Sequence, residues 1–366
     1  MQAIVVGTSF GGRVHVPALR AAGFEVVALV GRDATRTAAR AAELDVPHGL
    51  TDLADALRLA DAPFIVTVST PPDAHVDPVI AALQAGAHVL CEKPFALRTE
   101  DALRMVRAAD AAGTVALVGC EFRWQMNEAL ARRLIRDGAI GTPQIATFVQ
   151  HSSLVANGLP QAFNADWWLD RSRGGGILNA AGVHVIDRFR CWFGEITAAS
   201  GRLDHVSPIT RGSAQDSAED TYTANLRFAS GCFATLQHCA GSKGPGLQVC
   251  RVVGDKGALW LEGGEVRLAD ADSDRVVDVP VDLQLPAPPE ASPDPHEVFT
   301  WLELPAYTRL AERLRDLAAG GSIDPNAPAT PTFGDALQNQ RVTDAIRISS
   351  ERSGAWIDIP APTPAA

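Results

Sequence analysis

The chain has 366 residues, with 43 acids against 32 Lys and Arg and a net charge of −11. An acidic surface argues against nucleic acid and anionic membrane as partners, because both are bound through a basic face. The length exceeds what one hydrophobic core comfortably serves and predicts two domains, while 46% hydrophobic and 20% charged residues describe an ordinary globular chain.

The six cysteines (Cys91, Cys120, Cys191, Cys232, Cys239, Cys250) are scattered and form no CxxC. No stretch approaches the roughly 18 continuous apolar residues of a membrane span. The opening "MQAIVVGTSFGG" runs into a strand without the character of a leader. The expectation is a reduced, cytoplasmic chain.

Ala3–Val6 reads as a strand, and "GTSFGGRVHVPALRAAG" as a turn opening a helix that Gly23 ends. "FEVVALVG" is a second strand and "DATRTAARAAEL" a helix. "PFIVTVSTPP" is a buried strand, "HVDPVIAALQAG" a helix and "HVL" a further strand. "TEDALRMVRAADAAG" is a helix, with Thr99 placed to cap it and acids in its first turn. "VALVG" closes the series. Near-continuously apolar strands alternating with helices predict a doubly wound parallel sheet covered on both faces.

After about Glu121 the texture changes. "NEALARRLIRDGAIG" is a helix and "QIATFVQH" a strand. "TYTANLRF" and "CFATLQH" alternate apolar and polar across "ASG", which predicts an antiparallel hairpin, and "LQVCRVVGDKGALWLEGGEVRLAD" continues as a meander. The polar stretch 205–220 and the proline-rich stretch 280–295 read as loops. "DALQNQRVTDAIRISSERSG" is a helix followed by "AWIDI". The expected division is 1–122 for the first domain, 123–358 for a second α/β domain with an antiparallel sheet, and a disordered tail at 359–366.

Gly7-Thr8-Ser9-Phe10-Gly11-Gly12 follows the first strand and opens the first helix. A dinucleotide turn wants glycines for the bend, for close backbone approach to the pyrophosphate and for helix–strand contact. Gly7 and Gly12 hold the first and third positions, and Ser9 replaces the second. Amides at the helix N-terminus would then face the anion. The residue reading the ribose should lie ~20 positions on, at the end of the second strand. Here that is Gly31-Arg32, with Arg36 a turn further. A small residue plus arginine suits a 2′-phosphate, so NADP is the expected cofactor. NAD remains open, with Asp33 on the ribose.

Two further strand ends stop in polar residues and proline: Ser69-Thr70-Pro71 with His75, and Glu92-Lys93-Pro94. In a doubly wound sheet these carboxyl ends line the ligand crevice, which makes Lys93 a candidate at the reaction.

"VGTSFGGRVHVPAL", "STPPDAHVDPVIAALQAGAHVLCEKP" and "GGGILNAAGVHVID" together resemble the glucose–fructose oxidoreductase and inositol dehydrogenase (Gfo/Idh/MocA) family. The resemblance runs over most of the chain, including "FASGCFATL" and the C-terminal "QNQRVTDAI". It implies an N-terminal Rossmann domain and a C-terminal α/β domain whose large, predominantly antiparallel open sheet serves as an oligomer interface. It also implies oxidation or reduction of a secondary alcohol of a sugar or cyclitol with NAD(P). Lys93 is then the active-site lysine and Pro94 holds its turn. A cation at the incipient alkoxide favours hydride departure and, in reverse, polarises the ketone. Glu92 would hold the strand end together rather than act on substrate.

His184 matches the histidine implied to handle the substrate proton, and its near-neutral reference pKa suits that task. An acid is implied four residues earlier, where this chain has Ala180. Asn179 is adjacent, and Asp187 would be structural or orient His184. A buried histidine satisfied by Asp187 is the plain alternative. Further candidates for a polyol pocket are Arg123, Trp124, Trp167, Trp168 and Arg171, although tryptophan is more often partial core than sugar platform. The histidines show no metal-ligand spacing, so no metal is expected. Two rival functions stay open: a glycoside-cleaving or isomerising enzyme that oxidises a ring hydroxyl transiently, and a non-catalytic sugar and nucleotide sensor. The resemblance carries the expectation that Lys93 and His184 meet over a bound nicotinamide.

Overall fold

The apolar runs of the first third pair side by side in the computed structural model, which describes residues 1–158, 166–207, 217–287 and 300–362. Its strands are β1 (Gln2–Val6), β2 (Glu25–Val30), β3 (His48–Leu50), β4 (Phe64–Val68), β5 (His88–Cys91) and β6 (Ala116–Val118). They form one sheet in the order β3-β2-β1-β4-β5-β6, every neighbour parallel. Helices α1 (Val16–Ala21), α2 (Ala34–Glu43), α3 (Leu53–Leu57), α4 (Val76–Gln84) and α5 (Thr99–Ala112) lie between them.

Successive strand residues feed opposite faces. Val66 and Val89 join one apolar cluster, while Ile65 and Leu90 join the other. Burial on both faces is what a parallel sheet requires. β3 is too short and polar to stand out in the sequence. Thr99, read as a cap, is instead the first helical residue; Arg98 precedes it with extended backbone and makes no side-chain cap bond.

The second sheet has nine strands: β7 (Pro143–His151), β8 (Ile196–Asp204), β9 (Thr221–Phe228), β10 (Phe233–Cys239), β11 (Leu247–Gly254), β12 (Ala258–Glu262), β13 (Glu265–Ala269), β14 (Asp274–Val277) and β15 (Ile357–Asp358). Their order is β14-β13-β12-β11-β7-β10-β9-β8-β15. The β9–β10 hairpin forms as its alternation predicts. All neighbours are antiparallel except β7 and β10, which run parallel. Helices α6 (Met126–Arg136) and α7 (Val183–Phe193) contribute Leu130, Ile135, Ile186 and Phe189 to a core shared with inward-facing Phe148, Leu236 and Val252.

The chain divides into two compact units, Met1–Trp124 with Leu285–Leu337, and Gln125–Gln284 with Gln338–Ala366. The first therefore takes back a distant segment carrying α8 (Thr300–Ala318). A final helix, α9 (Phe333–Glu351), is divided between the units. Of the two expected loops, residues 208–216 and 288–295 lie outside the described residues, as do 363–366 of the expected tail. Ile359 is buried, and its N–H donates to the Thr197 carbonyl at 2.8 Å.

Candidate active site

The order of the first sheet reverses between β1 and β4, so the turns leaving those two strands flank the crevice where such sheets bind ligands. Gly7, with φ of +119°, makes the turn after β1. A Cβ on Gly7 would lie 2.8 Å from the Ser69 carbonyl oxygen, and one on Gly11 would lie 2.8 Å from Val5 Cγ1. Both positions must be glycine for the turn to close against the end of β4. Gly12 faces Leu44 and Arg40, while Ser9 is exposed and Phe10 half-buried. The helix opens with a π-helical turn, Gly11–His15, before α1. Ser69 is buried beneath the glycine turn, and its hydroxyl donates to the Val6 carbonyl at 3.0 Å. These features fit a pyrophosphate approaching the backbone.

At the end of β2, a Cβ on Gly31 would come within 2.6 Å of Thr8 Cγ2, so this position admits no side chain without rearrangement. Arg32 and Arg36 are exposed. Asp33 is committed to the helix: its carboxylate accepts from the Arg36 N–H at 2.7 Å and caps α2.

Glu92 is buried at the end of β5, where three donors converge on its carboxylate. His15 Nε2–H donates at 3.0 Å, the Tyr307 hydroxyl at 2.6 Å and the Lys93 N–H at 3.2 Å. Burial pushes this carboxyl up, but His15, Lys93 and Tyr307 together outweigh it and hold it below the usual range. A phenol on α8 and an imidazole on the first helical turn thus lock the strand end from which Lys93 projects. This is the anchoring part expected of Glu92.

Two more carboxyls belong to this region. Glu121 follows β6 directly, and Glu303 stands one turn before Tyr307 on α8. Burial raises Glu121 well above its ordinary value; Lys93 opposes the rise, and Glu303 and Glu92 add to it. Burial likewise pushes Glu303 up to about 7, against the pull of Lys93 and Arg13. No sequence motif marks His15, Glu121, Glu303 or Tyr307. Glu121 sits at a strand end just as Lys93 does, so that criterion applied once more finds it. Glu303 and Tyr307 offer only an i, i+4 pair on a helix far along the chain.

His75 is buried with its ring nitrogens 2.7 Å from the Thr70 carbonyl and 3.1 Å from the Phe95 carbonyl. It ties the loop after β4 to the residues following Lys93-Pro94, and burial lowers its pKa. The Thr70 hydroxyl donates to the Ala74 carbonyl, while Pro71 caps the short turn Pro72–Ala74. Arg123 is buried, pairs with Asp335 at 3.3 Å and donates to the Thr330 carbonyl at 3.1 Å. Trp124 belongs to an apolar core with Leu117, Tyr307 and Leu310.

In the second unit, Leu178–Gly182 form a π-helical turn that leads into α7. The spacing from Ala180 to His184 therefore crosses a change of helical pitch. His184 and Asp187 are buried on α7. Asp187 accepts from Asn339 Nδ2 at 2.9 Å; Asn339 Oδ1 accepts from Arg190 at 2.9 Å, and Arg190 forks onto Glu195. Asn179 is buried and donates to the Gly174 carbonyl at 3.0 Å. Trp167 and Trp168 are half-buried and meet edge to face, and Arg171 is exposed beside Glu351 at 3.2 Å.

Deeper in this unit Arg188 pairs with Glu128, both buried. Burial carries the Glu128 carboxyl above its usual range despite the guanidinium, while Arg188 is held further on the charged side. Among the described residues, no cluster of His, Cys, Asp and Glu could hold a metal ion, and no helix is long and apolar enough to cross a membrane.

Two family models match the chain. An oxidoreductase family with an NAD-binding Rossmann fold matches residues 1–120, and a GFO/IDH/MocA C-terminal domain matches residues 128–260. The 1,5-anhydro-D-fructose reductase of Ensifer adhaerens is 34% identical over 229 residues, which is 62% of this chain and 66% of that protein. The D-apiose dehydrogenase of Paraburkholderia graminis is 32% identical over 228 residues, 62% of this chain and 57% of that protein. The match thus spans less than two thirds of either relative. An oxidoreductase domain protein from Kribbella flavida superposes with a TM-score of 0.79 at 26% identity, covering 98% of this chain and 99% of that one.

Proposed function

This chain belongs to the GFO/IDH/MocA oxidoreductase family, and on that premise we propose that it moves hydride between a nicotinamide dinucleotide and a secondary alcohol or ketone of a sugar, sugar derivative or cyclitol. The observation that carries the reading is Lys93, an ammonium leaving a braced strand end on the crevice rim of a dinucleotide sheet. The names of two relatives, a reductase and a dehydrogenase of sugars, support the substrate class.

Gly7 to Gly12 would hold the pyrophosphate, with Arg32 and Arg36 at the ribose end. Ser69, Thr70, Pro71 and Lys93 would lie toward the reacting end. When bound, the nicotinamide supplies the hydride acceptor or donor. The Lys93 ammonium stabilises the oxygen that gains negative charge as hydride leaves its carbon. His184 is assigned to the same hydroxyl, which it would orient by a hydrogen bond. A turnover screen of sugars and cyclitols, with NADP and with NAD, tests the reading. Turnover of none of them would remove it.

NADP is the proposed cofactor. Asp33 is engaged in capping α2, and the exposed Arg32 supplies a cation for a 2′-phosphate. NADPH is expected to bind more tightly than NADH in a fluorescence titration. Arg32→Ala should weaken NADPH by about tenfold or more and leave NADH nearly unchanged. Tighter binding of NADH by the wild type would refute the assignment.

A homo-oligomer formed through the second sheet is also proposed. Ile145, Phe233 and Val253 are neighbours across three strands on its outward face, where Leu247 and Val249 are exposed too. A monomeric mass by light scattering would dismiss it. The six cysteines form no disulfide, which supports a cytoplasmic location.

A further inference from the structure

We propose that Glu121 and Glu303 form a carboxyl pair sharing one proton beside Lys93, and that this pair relays the substrate proton through the Lys93 ammonium. The relay rests on the proposed function; the shared proton does not.

Glu121 lies on the turn Glu121–Trp124, which packs against α8, the helix carrying Glu303. Each residue has one carboxylate oxygen, Oε2 in both, buried without a hydrogen-bond partner. An ionised oxygen removed from water with no donor is strongly disfavoured; a protonated carboxyl beside a second carboxylate removes the difficulty by donating to it.

The surrounding charges lead to the same arrangement. Lys93 and Arg13 attract Glu303, Lys93 attracts Glu121, and Glu92 repels both. The other polar groups facing α8 have work elsewhere. His15 and Tyr307 donate to Glu92, Arg123 pairs with Asp335, and Arg20 of α1 donates to the Asp45 carbonyl. Both carboxyls therefore draw on the Lys93 ammonium, which Glu92 draws on too, and only Glu303 also has the pull of Arg13. Like charges so placed do not both ionise; they titrate as a pair.

The consequence for chemistry is a proton acceptor behind the lysine. In oxidation, the hydroxyl O–H bond breaks onto Lys93 Nζ as one Nζ–H proton passes to the ionised member of the pair. The carbinol C–H leaves as hydride to the oxidised nicotinamide, the C–O bond becomes a carbonyl, and the lysine is again an ammonium. Reduction runs the same transfers backwards. Glu121 and Glu303 touch no substrate, so they are positioning residues acting through Lys93.

Infrared difference spectroscopy of the substrate-free protein reads the pair directly. Titration between about pH 5 and pH 9 should show a protonated carboxyl persisting above neutrality. Glu303→Gln or Glu121→Gln should remove or shift that band; its absence in the wild type would overturn the shared proton. Glu303→Gln, near-isosteric and checked for folding by its NADPH affinity, should lower kcat for oxidation about tenfold or more with KM little changed. In the wild type, oxidation should slow as pH falls through about 7, because the pair must be ionised to accept a proton. Glu303→Gln should displace that limb, and Glu303→Asp should partly restore it. An unmoved profile would overturn the relay. If the band is present but no polyol is turned over, the functional reading and the relay fall together while the shared proton stands.

Discussion

Lys93→Ala is expected to lower kcat/KM for polyol oxidation by about three orders of magnitude, roughly 4 kcal/mol of transition-state stabilisation. The dissociation constant of NADPH should change by no more than a few-fold. The Glu92 carboxylate takes donors from His15, Tyr307 and the Lys93 N–H. The backbone at Lys93 is therefore positioned by side chains that do not depend on its ammonium, so truncation should remove a charge and leave the turn standing. What disappears is a cation placed where alkoxide charge develops, an interaction stronger in the transition state than in the ground state. A loss confined to KM would mean that the ammonium only binds substrate. Retention of wild-type kcat would place the chemistry elsewhere.

Glu128→Ala should destabilise the second unit by about 3–5 kcal/mol, the usual penalty for leaving a buried charge without its partner. Arg188 is held charged, and beyond Glu128 its guanidinium meets Cys250 Sγ at 4.0 Å and the faces of Phe148 and Trp192. None of these replaces a carboxylate. Denaturant unfolding followed by tryptophan fluorescence measures the effect. Glu128→Ala combined with Arg188→Met should recover much of the loss, since an apolar replacement of the whole pair removes the stranded charge. A loss below about 1 kcal/mol in the single variant would show that water reaches Arg188.

The same contrast between local and distant partners decides what the sequence makes legible. The first sheet is plain because each strand is a short apolar run bounded by turn residues, and both signals are local. The β9–β10 hairpin is plain for the same reason. The parallel pairing of β7 with β10 joins residues 145–151 to 233–239 with other strands between them in sequence, and no pattern within either strand announces it. Nor does periodicity reveal that α8, with Pro305 inside it, belongs to the first unit.

The candidate site divides along this line too. Lys93 could be picked out because a charged residue at a strand end stands on the crevice rim. Its supporting groups come from three separate places: His15 on the first helical turn, Glu121 after β6, and Glu303 with Tyr307 on α8. Arg123 stands beside a strand end, which suggests a pocket residue, and its guanidinium meets a carboxylate and a carbonyl within the first unit. The i, i+4 relation expected between positions 180 and 184 assumed a regular helix; the glycine-bearing entry winds instead as a π-helical turn.

The most direct test of the account follows deuterium from the carbinol carbon of a polyol substrate. Net hydride transfer predicts one deuterated NADPH for each ketone formed, and a transfer rate about three orders of magnitude lower when Lys93 is replaced by alanine. Product that forms while the nicotinamide shows no net reduction, its deuterium returned to the sugar or never removed, would contradict it.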